Sequence, residues 1–316
     1  MKIIIASDSF KGSLSTIEAA RFMEEGIRRV LPQAEIVKIP IADGGEGTVT
    51  AMVEGLGGQY RKKEVTGPLR ERISAQYGIL PDHSAVIEIA AACGLPLVAP
   101  ENRNVMRATS FGAGELVLDA LRQGCRKIYI GLGGSATNDC GVGVIQALGG
   151  FFLDKMANSI SIGGRSLNRI TNIDLRYLDP RLAEAELIAI CDVQNPLCGP
   201  TGAAAIFAPQ KGATPEQVKI LDENAAHLAK VVTEQLQKDY ANLPGAGAAG
   251  GLGFGLMAFA NAKLQKGIDL MLDLCHFEQA IEHADLVITG EGKIDGQSAF
   301  GKVPVGIAAR CAAKKI

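Results

Sequence analysis

Short apolar runs alternate with helical periods along the first part of the chain. Residues 2–6 include three consecutive isoleucines, which is typical of a buried parallel strand. Apolar residues then recur at helical spacing from Thr16 until Pro32 ends the pattern. A second strand is predicted over 35–41 and a second helix over 48–56. This order of strand, helix, strand and helix predicts an α/β protein with an open parallel sheet.

The middle of the chain is less regular. Residues 59–65, 73–80 and 85–90 are predicted as three strands with no long helix between them, which indicates an antiparallel or mixed patch of sheet. A second domain is expected to begin near Gly67 and Pro68. The further predicted elements are helices over 110–123, 214–236 and 303–313 and strands over 127–131, 187–191 and 285–289.

The last predicted helix is followed only by the residues up to Ile316. A strand–loop–helix unit in a parallel sheet normally returns to another strand. We therefore expect the natural protein to continue beyond Ile316.

Composition and charge narrow the class of protein. A length of 316 residues indicates about two domains, and 47% of the residues are hydrophobic, enough to bury a sizeable core. Lysine and arginine number 32 and aspartate and glutamate 34, so the net charge of -2 gives no footprint for nucleic acid or for an anionic membrane. Apolar runs stay shorter than the roughly 18 residues of a membrane span. The oligomeric state is left open between a monomer and a homodimer.

The cysteines and histidines argue against two kinds of site. The seven cysteines form no CxxC pair, which argues against a zinc cage and fits a reduced cytoplasmic protein. The four histidines lie in no nucleophile motif with serine or cysteine, and no G-x-S-x-G stretch occurs. Serine hydrolase chemistry is therefore not supported.

Acidic residues follow the predicted strands at four points, which are Asp8-Ser9, Asp43 to Glu46, Asp192, and Glu291 to Asp295. Ligands of an open parallel sheet bind beyond the carboxyl ends of its strands. Carboxylates at that edge can bind Mg²⁺ or act as a general base. A single such aspartate more often caps a helix or makes a turn, but four at one edge favour a functional site.

Two glycine-rich stretches could hold a phosphate. Small residues from Gly131 to Asp139 let backbone N–H groups approach an anion at the start of a helix. The alternative is a tight turn in which Asn138 or Asp139 caps the helix. Six glycines over 245–255 could cradle phosphates as well, or could serve close helix packing or a hinge. Neither stretch matches the Walker A loop or the dinucleotide fingerprint.

Three basic positions could offset anionic charge. Lys11 follows the first predicted strand end and precedes a helix, where it could neutralise a phosphate. Arg103 and the neighbouring Arg107 could hold a carboxylate, and Lys211 is a further candidate. For each of them, a solvated loop side chain is the alternative.

Five stretches occur in order along the chain, namely ASDSFKG at 6–12, ADGGEGT at 42–48, GLGGSATNDCG at 131–141, CDVQNPL at 191–197 and TGEGKID at 289–295. Together they resemble the type I glycerate kinases of bacteria, over nearly the whole chain. The resemblance implies ATP-dependent phosphorylation of D-glycerate, with 2-phosphoglycerate favoured over 3-phosphoglycerate as the product. A kinase of another small hydroxy acid or sugar acid, and a non-catalytic regulator that binds such a ligand, are the alternatives.

The resemblance also implies an architecture. A Rossmann-like domain would comprise residues 1–66 and 284–316, and a second α/β domain, residues 67–283, would be inserted into it. The active site would lie in the cleft between the two domains.

Roles for individual residues follow as hypotheses from the resemblance and from the chemistry of phosphoryl transfer, which needs positioning and charge neutralisation. Asp192 is the proposed base for the glycerate hydroxyl, Asp43 is the competing candidate, and Lys11 would neutralise the transferred group. The candidates for Mg²⁺ are Asp43, Glu46, Glu291 and Asp295. The candidates for contact with the phosphates are Gly133, Gly134, Ser135, Gly250, Gly251 and Gly253. Arg103 or Ser9 would hold the glycerate carboxylate, and the further candidates for substrate binding are Asn138 and Asn195.

Overall fold

The computed structural model describes residues 1–10, 13–42, 44–293 and 303–314. The strands within these ranges are β1 (Lys2–Ile5), β2 (Glu35–Lys38), β3 (Gln59–Thr66), β4 (Arg72–Ile79), β5 (Ala85–Glu88), β6 (Lys127–Gly131), β7 (Phe151–Leu153), β8 (Asn172–Asp174), β9 (Glu186–Ile190), β10 (Lys263–Gln265) and β11 (Leu286–Ile288). The α-helices are α1 (Thr16–Val30), α2 (Thr48–Leu56), α3 (Ala90–Cys93), α4 (Phe111–Arg122), α5 (Val142–Ala147), α6 (Ala203–Phe207), α7 (Pro215–Leu236), α8 (Ala248–Ala260), α9 (Gly267–Leu274), α10 (Phe277–Ala280) and α11 (Val303–Lys314).

A three-stranded parallel sheet brings the first two strands of the chain together with the last described strand. Its order is β11-β1-β2, and β1 lies in the middle with Ile3, Ile4 and Ile5 almost fully buried. The run of isoleucines predicted a buried parallel strand because both faces of such a strand are covered. The alternation of strands and helices at the start of the chain is therefore confirmed.

A six-stranded sheet forms the larger layer, in the order β10-β9-β6-β5-β4-β3. Its first four strands are parallel, whereas β4 and β3 are antiparallel to their neighbours. This confirms the antiparallel patch that was predicted for the middle of the chain. The parallel strands β6 and β9 lie side by side, so the loops that follow them emerge at one edge.

The pairing of β3 bears on the proposed division into domains. β3 is paired with β4 over its whole length, from Gln59 beside Ile79 to Thr66 beside Arg72. Residues 59–66 therefore belong to the six-stranded sheet, and the chain passes from one sheet to the other before Gln59 rather than after residue 66. The division into two domains stays a proposal, with its first boundary moved to that point.

Helix α9 packs against both sheets. Its Leu270 and Met271 join a buried cluster with Met52 of α2 and with Ile188 of β9. On its other side, Ile268 and Leu272 of α9 join the cluster under the three-stranded sheet. The position of α9 is thus coupled to both layers of the protein.

Two predicted helix starts are confirmed in detail. Ser15 caps α1, where its hydroxyl accepts from Glu18 N at 3.2 Å and the Glu18 carboxylate accepts from Ser15 N at 2.9 Å. Thr214 and Gln217 form the same reciprocal pair at α7, with Pro215 at the first helical position. In the described part of the chain, no helix is long and apolar enough to cross a membrane.

Candidate active site

A cavity of about 430 Å³ lies at the carboxyl ends of β6 and β9. Its wall is formed by the loop that precedes α2 and by the loops that follow these two strands; the lining residues there are 44–46, 132–135 and 190–193. The rest of the wall comes from Phe207, Gln210 and Lys211 and from the start of α8. A concave site at this edge of a parallel sheet is the expected place for a ligand.

Glycines let the three loops approach one another closely. Gly133 N donates to Gly44 O at 3.4 Å, and a Cβ atom added to Gly133 would lie 2.7 Å from Gly45 Cα. Gly44 has a φ of +87°, and a Cβ there would lie 2.4 Å from Ile190 Cγ2. Backbone therefore packs on backbone in this wall, and no side chain could be inserted without moving a loop.

We expect Gly133→Ala to lower kcat/KM by about a hundredfold, because the added methyl group would displace the loop at Gly45 and misplace the cavity wall. Gly26→Ala is the matched control, since Gly26 lies in α1 with nothing within 4 Å of an added Cβ. It should leave activity unchanged. Steady-state kinetics of both variants, with melting temperatures, check this, and equal activity in the two variants would contradict the role assigned to the loop contact.

Asp192 and Glu46 are the predicted acids that the structure brings to this cavity. Both line its wall. One Asp192 oxygen accepts from Gly267 N, the first residue of α9, at 3.0 Å. The carboxylate of Asp192 is therefore oriented by the positive end of a helix that both sheets hold in place.

A second group of predicted residues meets at the three-stranded sheet. Asp8 N donates to Gly290 O at 2.9 Å, and Ser9 N donates to the Asp8 carboxylate at 2.7 Å. Asp8 is buried, and Glu291 follows Gly290 directly. Asp8, Ser9 and Glu291 are not among the residues that line the cavity. The acids at the four strand ends are thus distributed over two places.

Three of the predicted site residues, Lys11, Asp43 and Asp295, lie outside the described residues. Among the residues that are described, no group of three or more His, Cys, Asp or Glu side chains is arranged to hold a metal ion. The Mg²⁺ set that was predicted from the sequence includes two of the three undescribed residues, so it stays a prediction.

The residues predicted to contact the phosphates fall into two sets, one that lines the cavity and one that does not. Gly133, Gly134 and Ser135 line the cavity, and Gly134 has a φ of +72° that favours glycine. Gly250, Gly251 and Gly253 do not line it. These three are buried, and the backbones of other segments leave no space for a side chain.

The contacts of that second set explain its composition. A Cβ on Gly250 would lie 2.0 Å from Thr137 O, and a Cβ on Gly253 would lie 2.2 Å from Gly245 O. Ala249, Gly250 and Gly251 all have positive φ at the start of α8. Close helix packing, the alternative weighed for this stretch, accounts for these glycines without a ligand, and the phosphate contact predicted for them stays a prediction.

The predicted substrate ligands are also outside the cavity wall. Asn138 is fully buried, and neither atom of its side-chain amide has a hydrogen-bond partner in the described structure. The Asn195 amide donates to Thr201 O at 2.8 Å within its own loop. Arg103 lies behind the wall, where its guanidinium donates to Gln210 O at 3.3 Å. Arg103 is thus hydrogen-bonded to a residue of the cavity wall.

A buried carboxylate anchors the loop that follows β6. Asp139 is fully buried and accepts from Ser110 N at 2.8 Å, from the Ser110 hydroxyl at 3.0 Å and from Gly141 N at 3.3 Å. Burial raises the pKa of Asp139, while these bonds act in the opposite direction. Asp139 does not cap α5, which was the alternative considered for this stretch, because Gly141 occupies that position.

Lys211 is a cavity residue whose burial could not be predicted from the sequence. It lies in a short 3₁₀ turn, Pro209–Lys211, and is 3% exposed. Its ammonium group donates to Ser135 Oγ at 2.9 Å and to Thr137 O at 2.7 Å. In the sequence Lys211 was a candidate anion partner with a solvated loop side chain as the alternative, and nothing in the local pattern indicated that the side chain would be buried.

The fold and the cavity can be compared with known proteins. The model of the glycerate kinase family matches residues 3–316. The chain is 49% identical over 309 residues to the glycerate kinase of Bacillus subtilis (strain 168), covering 98% of this chain and 81% of that protein. It is 50% identical over 309 residues to the glycerate 2-kinase of Escherichia coli (strain K12), with the same shares of 98% and 81%. A crystal structure from Salmonella typhimurium LT2, of a protein proposed to be glycerate kinase 2, superposes with a TM-score of 0.93 at 49% identity, over 99% of this chain and 84% of that one.

Proposed function

We propose that this chain, which belongs to the glycerate kinase family, transfers a phosphoryl group from ATP to D-glycerate and forms 2-phosphoglycerate. The observation that carries the proposal is the match to relatives named glycerate kinase along 98% of the chain. The cavity at the ends of β6 and β9 supports it, because it unites a glycine-lined wall with two carboxylates and a buried cation. The name of the Escherichia coli relative favours the 2-hydroxyl as the acceptor.

In this proposal Asp192 is the base that orients the attacking hydroxyl of glycerate and takes up its proton. Its place in the cavity wall and its bond to the start of α9 support this role, because a base must be held within reach of the proton that it accepts. Asp43 remains the competing candidate.

The phosphates are proposed to lie along Gly133, Gly134 and Ser135, where small residues allow backbone N–H groups to approach them. Glu46 provides carboxylate oxygens of the kind that Mg²⁺ prefers, and Asp43, Glu291 and Asp295 complete the proposed set. When bound, Mg²⁺ would neutralise charge on the phosphate oxygens.

The glycerate carboxylate has two proposed partners. Arg103 could reach it through the wall formed by Gln210, and Ser9 could reach it from the loop after β1. The proposal leaves the choice between them open.

A cytoplasmic location belongs to the proposal as well. Its support is that all seven cysteines fall within the described residues and are free thiols, as expected of a protein kept in a reducing compartment.

ADP release from Mg-ATP in the presence of a panel of acids tests the proposed function. We expect turnover with D-glycerate that clearly exceeds turnover with L-glycerate, tartronate or sugar acids. ADP release only with one of the other acids would reassign the substrate. Binding of ATP and D-glycerate without any ADP release would make the protein a regulator instead.

A further inference from the structure

We propose that Lys211 is the residue that holds the terminal phosphoryl group of the nucleotide in the cavity. The assignment rests on the proposed function for the identity of the nucleotide. It concerns a residue for which the sequence offered no role beyond that of a possible anion partner, and it follows from how the side chain is placed.

Two of the three ammonium protons of Lys211 are used by fixed acceptors. Ser135 Oγ and Thr137 O, at 2.9 Å and 2.7 Å from Nζ, both belong to the loop after β6. An ammonium group has three donors, so one donor is left. Because Lys211 itself lines the cavity, an anion inside the cavity would lie within its reach.

Lys211 forms no ion pair in the described part of the chain. No described carboxylate oxygen lies within 4.0 Å of its Nζ, which is the limit for an ion pair, although Asp139 acts on it from further away. Burial therefore lowers the pKa of Lys211 to about 8, and the nearby thiol of Cys93 and the carboxylate of Asp139 only partly oppose this. Glu46 and Asp192 are the other charged groups in the wall.

A buried cation without an ion-pair partner destabilises the folded protein. An anionic ligand that binds beside it would supply the missing negative charge. Asp139 is near enough to raise the pKa of Lys211, but its carboxylate accepts from Thr109, Ser110 and Gly141 and not from the ammonium group. The neighbouring wall consists of Gly133, Gly134 and Ser135, whose small size leaves room for a tetrahedral group. Lysine is a point charge that suits phosphate oxygens, whereas the planar guanidinium of arginine suits carboxylates better.

Lys211→Met is the test variant, and Lys211→Arg is the conservative one. Binding of AMP-PNP, of ADP and of D-glycerate is measured separately by calorimetry at pH 7. We expect the methionine variant to bind AMP-PNP about ten- to hundredfold more weakly, with much smaller changes for ADP and D-glycerate. A loss confined to D-glycerate would overturn the proposal and assign Lys211 to the carboxylate. Unchanged affinity for all three ligands would overturn it as well.

Stability separates this role from a structural one. Because the pKa of Lys211 is lowered on folding, its charge opposes folding fully below about pH 8, and the penalty fades as pH rises towards the ordinary value for lysine, 10.5. Lys211→Met removes this penalty but leaves Ser135 Oγ and Thr137 O without their donor, so at pH 7 it should melt close to the parent protein. By pH 10 the parent should have gained stability relative to the variant. A marked loss of stability at pH 7 would indicate a structural lysine and contradict the proposal.

Proton uptake gives a readout that needs no turnover. A bound phosphoryl group should raise the pKa of Lys211, so AMP-PNP binding at pH 8 should take up about half a proton per site in the parent protein and none in Lys211→Met. Uptake that is identical in the two proteins would refute the assignment. Failure of D-glycerate turnover alone would leave this binding result standing and would count against the proposed function only.

Discussion

Replacing Asp192 with Asn is expected to lower kcat by about two to four orders of magnitude, while the affinity for nucleotide stays nearly unchanged. An amide cannot accept the proton of the glycerate hydroxyl, but its oxygen can still accept from Gly267 N as the carboxylate does. The cap of α9 is thereby kept, and the substitution removes the base without removing the contact. Near-normal kcat would exclude Asp192 from the mechanism and favour Asp43.

Asp192→Ala provides the structural comparison. It removes both the proposed base and the acceptor for Gly267 N, so it should lose about 1 kcal/mol of stability in addition to the loss of kcat. If the asparagine variant is as unstable as the alanine variant, its low activity reflects a displaced helix α9 rather than missing proton transfer. Melting temperatures measured beside kcat and KM distinguish the two.

Asp139→Ala should be the most destabilising of the substitutions considered. It leaves the backbone N–H and hydroxyl of Ser110 and the N–H of Gly141 without their acceptor in a fully buried place, which costs roughly 3 kcal/mol. For a protein of this size the melting temperature should fall by roughly 4–6 °C. Activity should fall too, because Asp139 directly follows the loop that lines the cavity.

Glu223→Ala is the control for the loss of a carboxylate. Glu223 is exposed on α7 and makes only a surface ion pair with Lys219, so its removal should hardly change the melting temperature. A melting temperature of Asp139→Ala that equals that of the control would show that the buried bonds of Asp139 contribute little.

Much of the fold could be predicted because many of its helices and strands are indicated by the sequence pattern within their own segments. The structure confirms the strand predicted from the isoleucine run (β1), the strand that ends at Gly131 (β6) and the long helix that begins beside Pro215 (α7). Strands β7, β8 and β10 were not predicted, because each has three residues and none lies in an apolar run like the one that predicted β11. Their pairing comes from tertiary contacts alone.

The site was predictable only in part, for a similar reason. The sequence identified acids and glycines at strand ends, and Asp192, Glu46 and Gly133 do meet in one cavity. It did not distinguish Gly134 from Gly250, because a glycine that faces a ligand and one that faces a neighbouring backbone look alike in sequence. For Lys211 the sequence left open a choice between an anion partner and a solvated loop side chain, since its burial depends on Ser135 and Thr137, which lie more than 70 residues earlier.

The product formed from D-glycerate and Mg-ATP tests the central claim most directly. Phosphorus–proton correlation NMR distinguishes the products, because the phosphorus of 2-phosphoglycerate couples to one methine proton and that of 3-phosphoglycerate to two methylene protons. We expect 2-phosphoglycerate, formed in step with ADP and lost in Asp192→Asn. A phosphorus signal coupled to the methylene protons would contradict the proposed acceptor, and the absence of any phosphorylated glycerate would contradict the proposed function itself.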